Sequence, residues 1–176
     1  GLFLKAQLMH GNGTPSPWLE RWTNLMPSTG TALDLACGAG RHLRWLAAHG
    51  LRPTGIDRDA AALAACADLT QAGNAELINA DVENGPWPCP GRQFDVVVVT
   101  NYLWRPLWPA ILASLAPGGV LLYETFADGN QTVGKPSRPD FLLQPGELLH
   151  RCAGLVIVGY EHGFLDAPPR FVQRVA

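Results

Sequence analysis

Acidic and glycine residues at one strand-to-helix junction could bind a small charged molecule. The stretch from Leu33 to His42 reads Leu-Asp-Leu-Ala-Cys-Gly-Ala-Gly-Arg-His. A short apolar run ends in a turn with two glycines, and glycine permits positive φ and a close approach of ligand to backbone. The helix that follows directs unpaired N–H groups and the positive end of its dipole at that turn. The stretch therefore predicts a site for a ligand with an anionic group.

Further polar side chains stand where other predicted strands end. Asp57 ends the second strand, Asp81 follows the third, and Asn101 and Tyr102 follow the fourth. In parallel sheets the ligand lies outside the carboxyl ends of the strands, where the strand order reverses. We therefore expect these side chains and the glycine turn to surround one crevice.

The elements that must position these residues alternate between strand and helix. Ser16-Pro17 is typical of a helix start, Asp59 can cap a later helix, and Gly50 fits the left-handed position that ends a helix. Five strand–helix alternations predict a parallel sheet covered by helices on both faces. The predicted strands are 31–36, 53–56, 76–79, 94–100, 120–124, 155–160 and 171–175, and the main helices cover about 17–26, 40–49, 59–67, 107–115 and 145–153.

Composition places the chain among globular proteins. Its 176 residues suit one domain over 1–176, with 47% apolar and 16% charged residues. A net charge of −2 argues against a general nucleic-acid binder. Its four cysteines lack metal-site spacing, so we expect reduced thiols in a cytoplasmic protein. No apolar run approaches the roughly 20 residues of a membrane span, so we expect no membrane partner.

The glycine turn does not complete the dinucleotide-binding fingerprint. That pattern needs Gly-x-Gly-x-x-Gly, and here Gly38 and Gly40 are followed by Leu43 where the third glycine belongs. Asp34, two residues before the end of the strand, is also unusual for a nicotinamide site. A nicotinamide oxidoreductase is therefore a poor interpretation.

Four ordered segments instead resemble the class I S-adenosylmethionine-dependent methyltransferases. The resemblance covers residues 31–125, and its nearest likeness is to small single-domain bacterial enzymes of the tellurite-resistance and thiopurine type, whose first motif also runs Gly-x-Gly-Arg. The matching segments are Asp34-Leu35-Ala36-Cys37-Gly38-Ala39-Gly40, Asp57 at the end of strand two, Asp81-Val82 after strand three, and Leu115-Ala116-Pro117-Gly118-Gly119 before strand five.

The resemblance implies both a fold and a cofactor. The fold is α/β, a Rossmann-like three-layer sandwich with a mostly parallel seven-stranded sheet of order 3-2-1-4-5-7-6 and an antiparallel last strand. The cofactor is S-adenosyl-L-methionine, and the product is S-adenosyl-L-homocysteine. No metal is implied.

The residue types suit the parts of that cofactor. The N–H groups from Gly38 to Arg41 can receive the methionine carboxylate, and Asp34 with the Ala36 carbonyl suits the ammonium. Asp57 can accept both ribose hydroxyls, and the Asp81-Val82 pair suits adenine. The alternative is that the two later aspartates only cap turns. The predicted cofactor-binding residues are Asp34, Ala36, Cys37, Gly38, Gly40, Arg41, Asp57, Arg58, Asp81, Val82, Thr100 and Asn101.

The methyl acceptor is expected to lie beyond strands four and five. Methyl transfer needs a general base only when the acceptor arrives protonated, and no strong base stands out. This favours a thiolate, an oxyanion of selenium or tellurium, or a carboxylate, positioned by Asn101 and Tyr102. A structural role for His42 is an equal alternative. The predicted substrate residues are Arg41, His42, Tyr102, Trp104, Arg105, Glu124, Phe126 and Lys135.

Two segments fall outside this alternation. Residues 1–13 carry no periodic pattern and are predicted to be loop-like, which leaves no room for a separate substrate domain. Residues 125–143 are long, polar and irregular, which is typical of functional lids or disordered segments. Lys135 and Arg138 within them could form a basic lid or could simply be solvated charges.

The leading hypothesis is an S-adenosylmethionine-dependent methyltransferase that acts on a small molecule. A second is a non-catalytic S-adenosylmethionine-binding partner or sensor module, motivated by the lack of an evident base. A third is an RNA methyltransferase, which the charge disfavours. The sequence Asn101-Tyr102-Leu103-Trp104 also lacks the Pro-Pro of the enzymes that methylate exocyclic base amines.

Overall fold

Seven strands form one sheet in the computed structural model, which describes residues 13–176. The strands are β1 (Gly30–Leu35), β2 (Leu51–Asp57), β3 (Glu76–Asn79), β4 (Phe94–Thr100), β5 (Leu115–Phe126), β6 (Tyr160–Asp166) and β7 (Pro169–Val175). Their order across the sheet is β3-β2-β1-β4-β5-β7-β6. The first five pair in parallel, and β7 lies antiparallel between β5 and β6. The predicted order and antiparallel last strand are confirmed.

Helices cover both faces of this sheet. They are α1 (Pro17–Arg21), α2 (Arg41–Ala48), α3 (Ala60–Ala64), α4 (Ala67–Gln71), α5 (Trp108–Ala113) and α6 (Glu147–Arg151). The caps follow the sequence signals, because Ser16 accepts from the N–H of Trp18 and Asp59 accepts from two N–H groups of α3. Gly50 has φ 88° directly after α2, as a left-handed stop requires. Within residues 13–176, no helix has the length and apolar character needed to cross a membrane.

The central strand β4 is buried on both faces, as its four consecutive valines predict. Val96 and Val98 pack with Trp18 and Leu46 on the side of α1 and α2. Val97 and Val99 belong to the larger cluster on the opposite side, which also contains residues of α5 and α6. Because side chains alternate across a strand, one valine run holds both layers of helices against the sheet.

The predicted sixth strand is misplaced. The apolar run 155–160 was expected to pair, but β6 begins only at Tyr160, and Val156 is 87% exposed. The hairpin decides the register, since Asp166 lies opposite Pro169 and the two residues between them make the turn. Pairing outward from so tight a turn selects 160–166 as the partner of 169–175, whatever the hydropathy of the preceding run.

Other boundaries differ for local reasons. The helix predicted after Asp59 is two short helices, α3 and α4. The helix predicted to 115 ends at Ala113, because Leu115 already pairs with Phe94. The register then shifts, and pairing resumes with Val120 opposite Val96. Residues 116–119 are thus an irregularity within β5 rather than a loop before it.

Residues 125–143 have defined contacts with the end of the sheet. The segment contains two 3-10 turns, Asn130–Thr132 and Pro139–Phe141. The Leu143 N–H donates to the Phe126 carbonyl at 3.0 Å, and the Asn130 side chain accepts from the Phe171 N–H at 2.9 Å. Whether this segment acts as a lid stays a prediction. Of the N-terminal segment predicted to be loop-like, residues 1–12 lie outside the described residues.

Candidate cofactor and acceptor site

A cleft lies where the carboxyl ends of β1, β2, β3 and β4 meet. It is a shallow cleft that opens to solvent, and about 340 Å³ of non-atom space lies in it when the solvent at its mouth is included. This is the edge at which open α/β sheets bind ligands. Ten residues line the cleft, and those that were predicted as site residues are Ala36, Asp57, Arg58, Asp81, Val82 and Tyr102.

The turn after β1 holds three residues in the left-handed region. Ala36, Gly38 and Gly40 have φ values of 59°, 58° and 89°. A Cβ added at Gly40 would lie 2.6 Å from the Cys66 sulfur, whereas one added at Gly38 would meet nothing within 4 Å. Gly40 therefore allows the turn to pack closely against Cys66, and Gly38 leaves the space above the turn open.

Two N–H groups predicted to bind a carboxylate are already occupied. Gly38 donates to the Asp57 carboxylate at 2.8 Å, and Gly40 donates to the Cys37 carbonyl at 3.1 Å. This corrects the expectation for those two groups. The first turn of α2, which begins at Arg41, becomes the expected source of donors because its N–H groups have no partners within the helix.

The two aspartates of the cleft differ in how many hydrogen bonds they already accept. Each oxygen of Asp57 accepts one N–H, from Gly38 and Asp59, so each retains a lone pair for another donor. Asp81 accepts from the backbone of Glu83 and from both the backbone and the side chain of Asn84. The Asn84 side-chain bond is the main reason why the pKa of Asp81 is lowered. Asp81 thus caps its own turn, and its role toward adenine stays a prediction.

Asn101 carries two buried polar atoms that lack a partner. Its backbone has φ 53°, and its N–H donates to the Glu124 carbonyl at 2.8 Å. Among residues 13–176, neither its side-chain oxygen nor its nitrogen has a hydrogen-bond partner. Leaving such atoms unpaired in a buried place costs roughly 1–3 kcal/mol each. They are therefore expected to meet a ligand.

Tyr102 contributes to the cofactor cleft. Its hydroxyl donates to Glu83 at 2.7 Å, and its carbonyl accepts from the Tyr123 hydroxyl at 2.7 Å. Burial raises the pKa of Tyr102, and the bond to Glu83 raises it further. Its hydroxyl is thus a committed donor beside Asp57 and Asp81. The predicted role of Tyr102 in positioning the acceptor stays a prediction.

A buried polar cluster, the Glu124 cluster, occupies the ends of β4 and β5 on the α1 side. Ser16 donates its hydroxyl to Glu124 at 2.7 Å and its N–H to the His42 Nε2 at 3.0 Å. His42 Nε2 therefore accepts, and its Nδ1 lies 3.4 Å from the Thr100 hydroxyl. Arg174 donates to the other Glu124 oxygen at 2.8 Å. These contacts place the start of α1 across this edge of the sheet and give His42 the structural role that was its alternative.

Arg41 joins this cluster to the glycine turn. It is 8% exposed and donates to the Thr14 carbonyl at 3.1 Å. Burial lowers the pKa of Arg41, while the charges of Asp34 and Glu124 raise it. Arg41 consequently stands between the predicted ammonium site at Asp34 and the Glu124 cluster.

Arg105 has a structural partner in Glu147. It makes two bonds to the Glu147 carboxylate, at 2.8 and 3.0 Å, and one to the Leu142 carbonyl at 2.9 Å. The Glu147 bond raises its pKa. This bidentate pair ties residues 125–143 to the start of α6, and the substrate role of Arg105 stays a prediction.

The remaining predicted residues lie in three different surroundings, and their roles toward an acceptor stay predictions. Trp104 is 38% exposed, Phe126 is only 3% exposed within the core, and Lys135 donates to Ser137 at 3.2 Å on the exposed segment. Burial is the largest cause of the raised pKa of Cys37, which keeps it as a thiol. Its place in the turn is that of a small buried residue.

Sequence reasoning missed four residues beside the site: Ser16 beyond its cap, Glu83, Arg170 and Arg174. Arg170 and Arg174 lie two residues before and two residues after Val172 in β7, so this spacing puts both arginines on the same face of the strand. Glu83 had no signal, because its partner Tyr102 lies 19 positions away.

Sheet order, glycine turn and cleft together define a class I S-adenosylmethionine-dependent methyltransferase. The family described as "Methyltransferase domain" matches residues 32–119, half of the chain. The chain therefore belongs to this methyltransferase-domain family, and S-adenosylmethionine is its cofactor. No curated protein sequence matches the chain.

Solved structures share the fold at low sequence identity. TehB from Haemophilus influenzae is 18% identical with a TM-score of 0.71, and the alignment covers 97% of this chain and 64% of TehB. A methyltransferase from Mesorhizobium loti is 18% identical with a TM-score of 0.70, covering 92% and 98%. Another from Methanosarcina mazei is 16% identical with a TM-score of 0.68, covering 92% and 96%. The chain thus spans under two thirds of TehB but nearly all of the other two.

Proposed function

We propose that this chain transfers a methyl group from S-adenosylmethionine to a small-molecule acceptor. The observation that carries the proposal is the shared cleft in which the ends of three parallel strands bring Ala36, Asp57, Asp81 and Val82 together. These residues come from three of the four motifs that suggested the cofactor. A shared cleft is what a common ligand requires.

The residues present fit this cofactor. Open space above Gly38 leaves room for a ligand against the turn. The lone pairs that remain on Asp57 suit ribose hydroxyls, and the first turn of α2 suits a carboxylate. The buried carboxylate of Asp34, beside the glycine turn, suits an ammonium group. Asn101, with its two unpaired amide atoms, would close the edge of the site toward β5.

When bound, the cofactor supplies a methyl group activated by its sulfonium. The acceptor's electron pair forms the new bond to the methyl carbon while the carbon–sulfur electrons stay on sulfur. The chain's residues need only align the acceptor and exclude water. Two side chains that could take part in proton transfer already have hydrogen-bond partners, since His42 accepts from Ser16 and Tyr102 donates to Glu83. The acceptor would therefore arrive already nucleophilic.

The Glu124 cluster supports the proposal of a small acceptor. Ser16, with α1 directly after it, lies across the ends of β4 and β5 through buried hydrogen bonds. The described residues contain no second domain that could hold a macromolecule. A small acceptor suits this edge better than an RNA helix.

Calorimetry with S-adenosylmethionine and S-adenosylhomocysteine tests cofactor binding. The variant Asp57→Ala loses acceptors for the ribose hydroxyls, and we expect about ten- to a hundredfold weaker binding, at roughly 1.5–3 kcal/mol for hydrogen bonds to a charged group. Asp57→Asn keeps one side-chain oxygen, so its affinity for the cofactor should lie between those of the wild type and Asp57→Ala. Asp140→Ala removes an exposed aspartate and serves as the control. Unchanged affinity in Asp57→Ala would refute the ribose assignment.

Turnover separates an enzyme from a binding module. The wild-type protein is incubated with S-adenosylmethionine and thiols, selenite, tellurite or small carboxylates, and S-adenosylhomocysteine release is measured. We expect release with at least one of these acceptors. Tight cofactor binding without release from any of them would favour the non-catalytic module instead.

A further inference from the structure

The turn that follows β3 uses the Asp81 carboxylate to hold its own shape. The Asp81 Oδ1 accepts from the N–H groups of Glu83 and Asn84 at 3.0 and 3.2 Å, and its Oδ2 accepts from the Asn84 side chain at 3.1 Å. The Gly85 N–H closes the turn by donating to the Asp81 carbonyl at 2.8 Å. Three of about four acceptor positions on this carboxylate are therefore taken before any ligand arrives.

Glu83, within the same turn, lines the cleft with most of its acceptor capacity unused. Tyr102 also lines the cleft, and its hydroxyl donates to the Glu83 Oε2 at 2.7 Å. Within residues 13–176, no other group donates a hydrogen bond to this carboxylate. The Glu83 Oε1 therefore has both lone pairs available for a ligand, and Oε2 has one.

The hydrogen bond from Tyr102 fixes the position of the Glu83 carboxylate. It joins the turn after β3 to the loop after β4, where the Tyr123 hydroxyl donates to the Tyr102 carbonyl at 2.7 Å. Burial and the bond to Glu83 both raise the pKa of Tyr102, so its hydroxyl remains the donor and the carboxylate remains the acceptor. A side chain that is already ordered loses little further entropy when it binds a ligand.

The rest of the cleft suits the flat base of a nucleoside. Five apolar residues line it, namely Leu35, Ala36, Ile56, Ala80 and Val82. Adenine carries one exocyclic amino group, and the nitrogens of its ring edge are acceptors. An ionised carboxylate only accepts, so the amino group is the part of the base that Glu83 can bind. A hydrogen bond to an ionised acceptor is roughly twice as strong as one between neutral groups.

We propose that Glu83, held in place by Tyr102, accepts a hydrogen bond from the adenine amino group of the cofactor and selects for that group. The proposal rests on the cofactor binding that the proposed function requires, and it adds a specificity residue to the cleft. Asp81, to which the motif assigns adenine, then shapes the turn that carries Glu83. Tyr102 is a positioning residue, because it acts on the base through Glu83.

The test compares two ligands that differ only in the amino group. S-adenosylhomocysteine and its desamino analogue, in which purine replaces adenine, are each titrated into the protein by calorimetry. We expect the wild type to bind S-adenosylhomocysteine about ten- to a hundredfold more tightly, since only this ligand can donate to Glu83. Equal affinity for the two ligands overturns the proposal. Absent binding of S-adenosylhomocysteine would instead refute the proposed function itself.

Variants assign this preference to one carboxylate. Glu83→Ala should remove the preference by weakening only S-adenosylhomocysteine binding, and Glu83→Gln should retain part of it. Asp81→Asn should weaken both ligands alike, because it loosens the turn and leaves the Glu83 carboxylate in place. Asp140→Asn, at an exposed aspartate, is the matched control and should change neither affinity. An undiminished preference in Glu83→Ala, or its loss in Asp81→Asn alone, overturns the assignment.

The contribution of Tyr102 is measured by the same ratio of affinities. Tyr102→Phe keeps the ring and removes the donor that holds Glu83, so we expect the preference to fall severalfold while the desamino analogue binds as before. Equal weakening of both ligands would overturn the positioning role, since it would show that only the shape of the cleft had changed. If Glu83→Ala fails to fold, Glu83→Gln and the wild-type preference decide the assignment.

Discussion

The variant Glu124→Gln should unfold at a clearly lower temperature than the wild type. The Glu124 side chain is 6% exposed and binds Arg174 at 2.8 Å and the Ser16 hydroxyl at 2.7 Å. Glutamine can still accept from Ser16, but its amide nitrogen would face the Arg174 donor. The change also removes a carboxylate whose charge acts on the buried Arg41 and the partly buried Arg170.

The magnitude follows from what Arg174 retains. Breaking a buried ion pair by removing one partner costs about 3–5 kcal/mol when the remaining charge has no other partner. Arg174 keeps Glu161, whose side chain is 55% exposed, so the lower end, about 3 kcal/mol, is expected. For a chain of this size, 1 kcal/mol corresponds to roughly 2–4 °C. The expected decrease in Tm is therefore about 6–12 °C.

Differential scanning calorimetry and urea unfolding measure this effect, and Glu161→Gln is the matched control. Both glutamates bind the same guanidinium, but the Glu161 pair is screened by solvent and should contribute at most about 1 kcal/mol. If Glu124→Gln unfolds within 0.5 kcal/mol of the wild type, or if both variants lose equally, the Glu124 cluster does not stabilise this edge as described.

Two further changes probe the supporting structure. Ala36→Gly should raise the free energy of unfolding by roughly 0.5 kcal/mol in urea unfolding, because relief of the φ 59° conformation slightly exceeds the entropy lost by glycine. A decrease would contradict the left-handed assignment. Arg105→Met should lower the free energy of unfolding by about 2 kcal/mol, whereas Arg138→Met, at an exposed ion pair, should change it little. Burial raises the pKa of Glu147, but the hydrogen bond from Arg105 and its other partners lower that pKa below its usual value. The stability from this pair is therefore present above the unfolded pKa near 4.5 and is lost as pH falls through the folded pKa. The free energy of unfolding of Arg105→Met should therefore decrease less than that of the wild type as the pH falls. The same pH dependence in both proteins would contradict this explanation.

Local patterns could be predicted because their causes lie within a few residues. The valine run of β4, the Ser16 and Asp59 caps and the glycine turn each depend on backbone sterics or on neighbours along the chain. The first motif also led correctly to the cofactor family, since the turn, its acids and the following helix are one short unit.

Errors arose where a local pattern competed with a distant partner. The apolar run 155–160 predicts a strand, but the β6–β7 turn sets the register, and residues 155–159 stay outside the sheet. The partner of Arg105 is equally invisible in the sequence, since Glu147, which binds it, lies 42 positions away. No spacing rule in the sequence joins such pairs.

The sequence by itself determined the fold class, the cofactor and six of the ten residues that line the cleft, because these depend on short motifs in a fixed order. Only the tertiary structure brought the Glu124 cluster together. There Ser16, His42, Glu124 and Arg174 meet through hydrogen bonds between residues up to 108 positions apart. Groups that far apart in the chain interact only after the sheet has assembled. The Glu124 cluster is therefore a property of the packed strands rather than of any one motif.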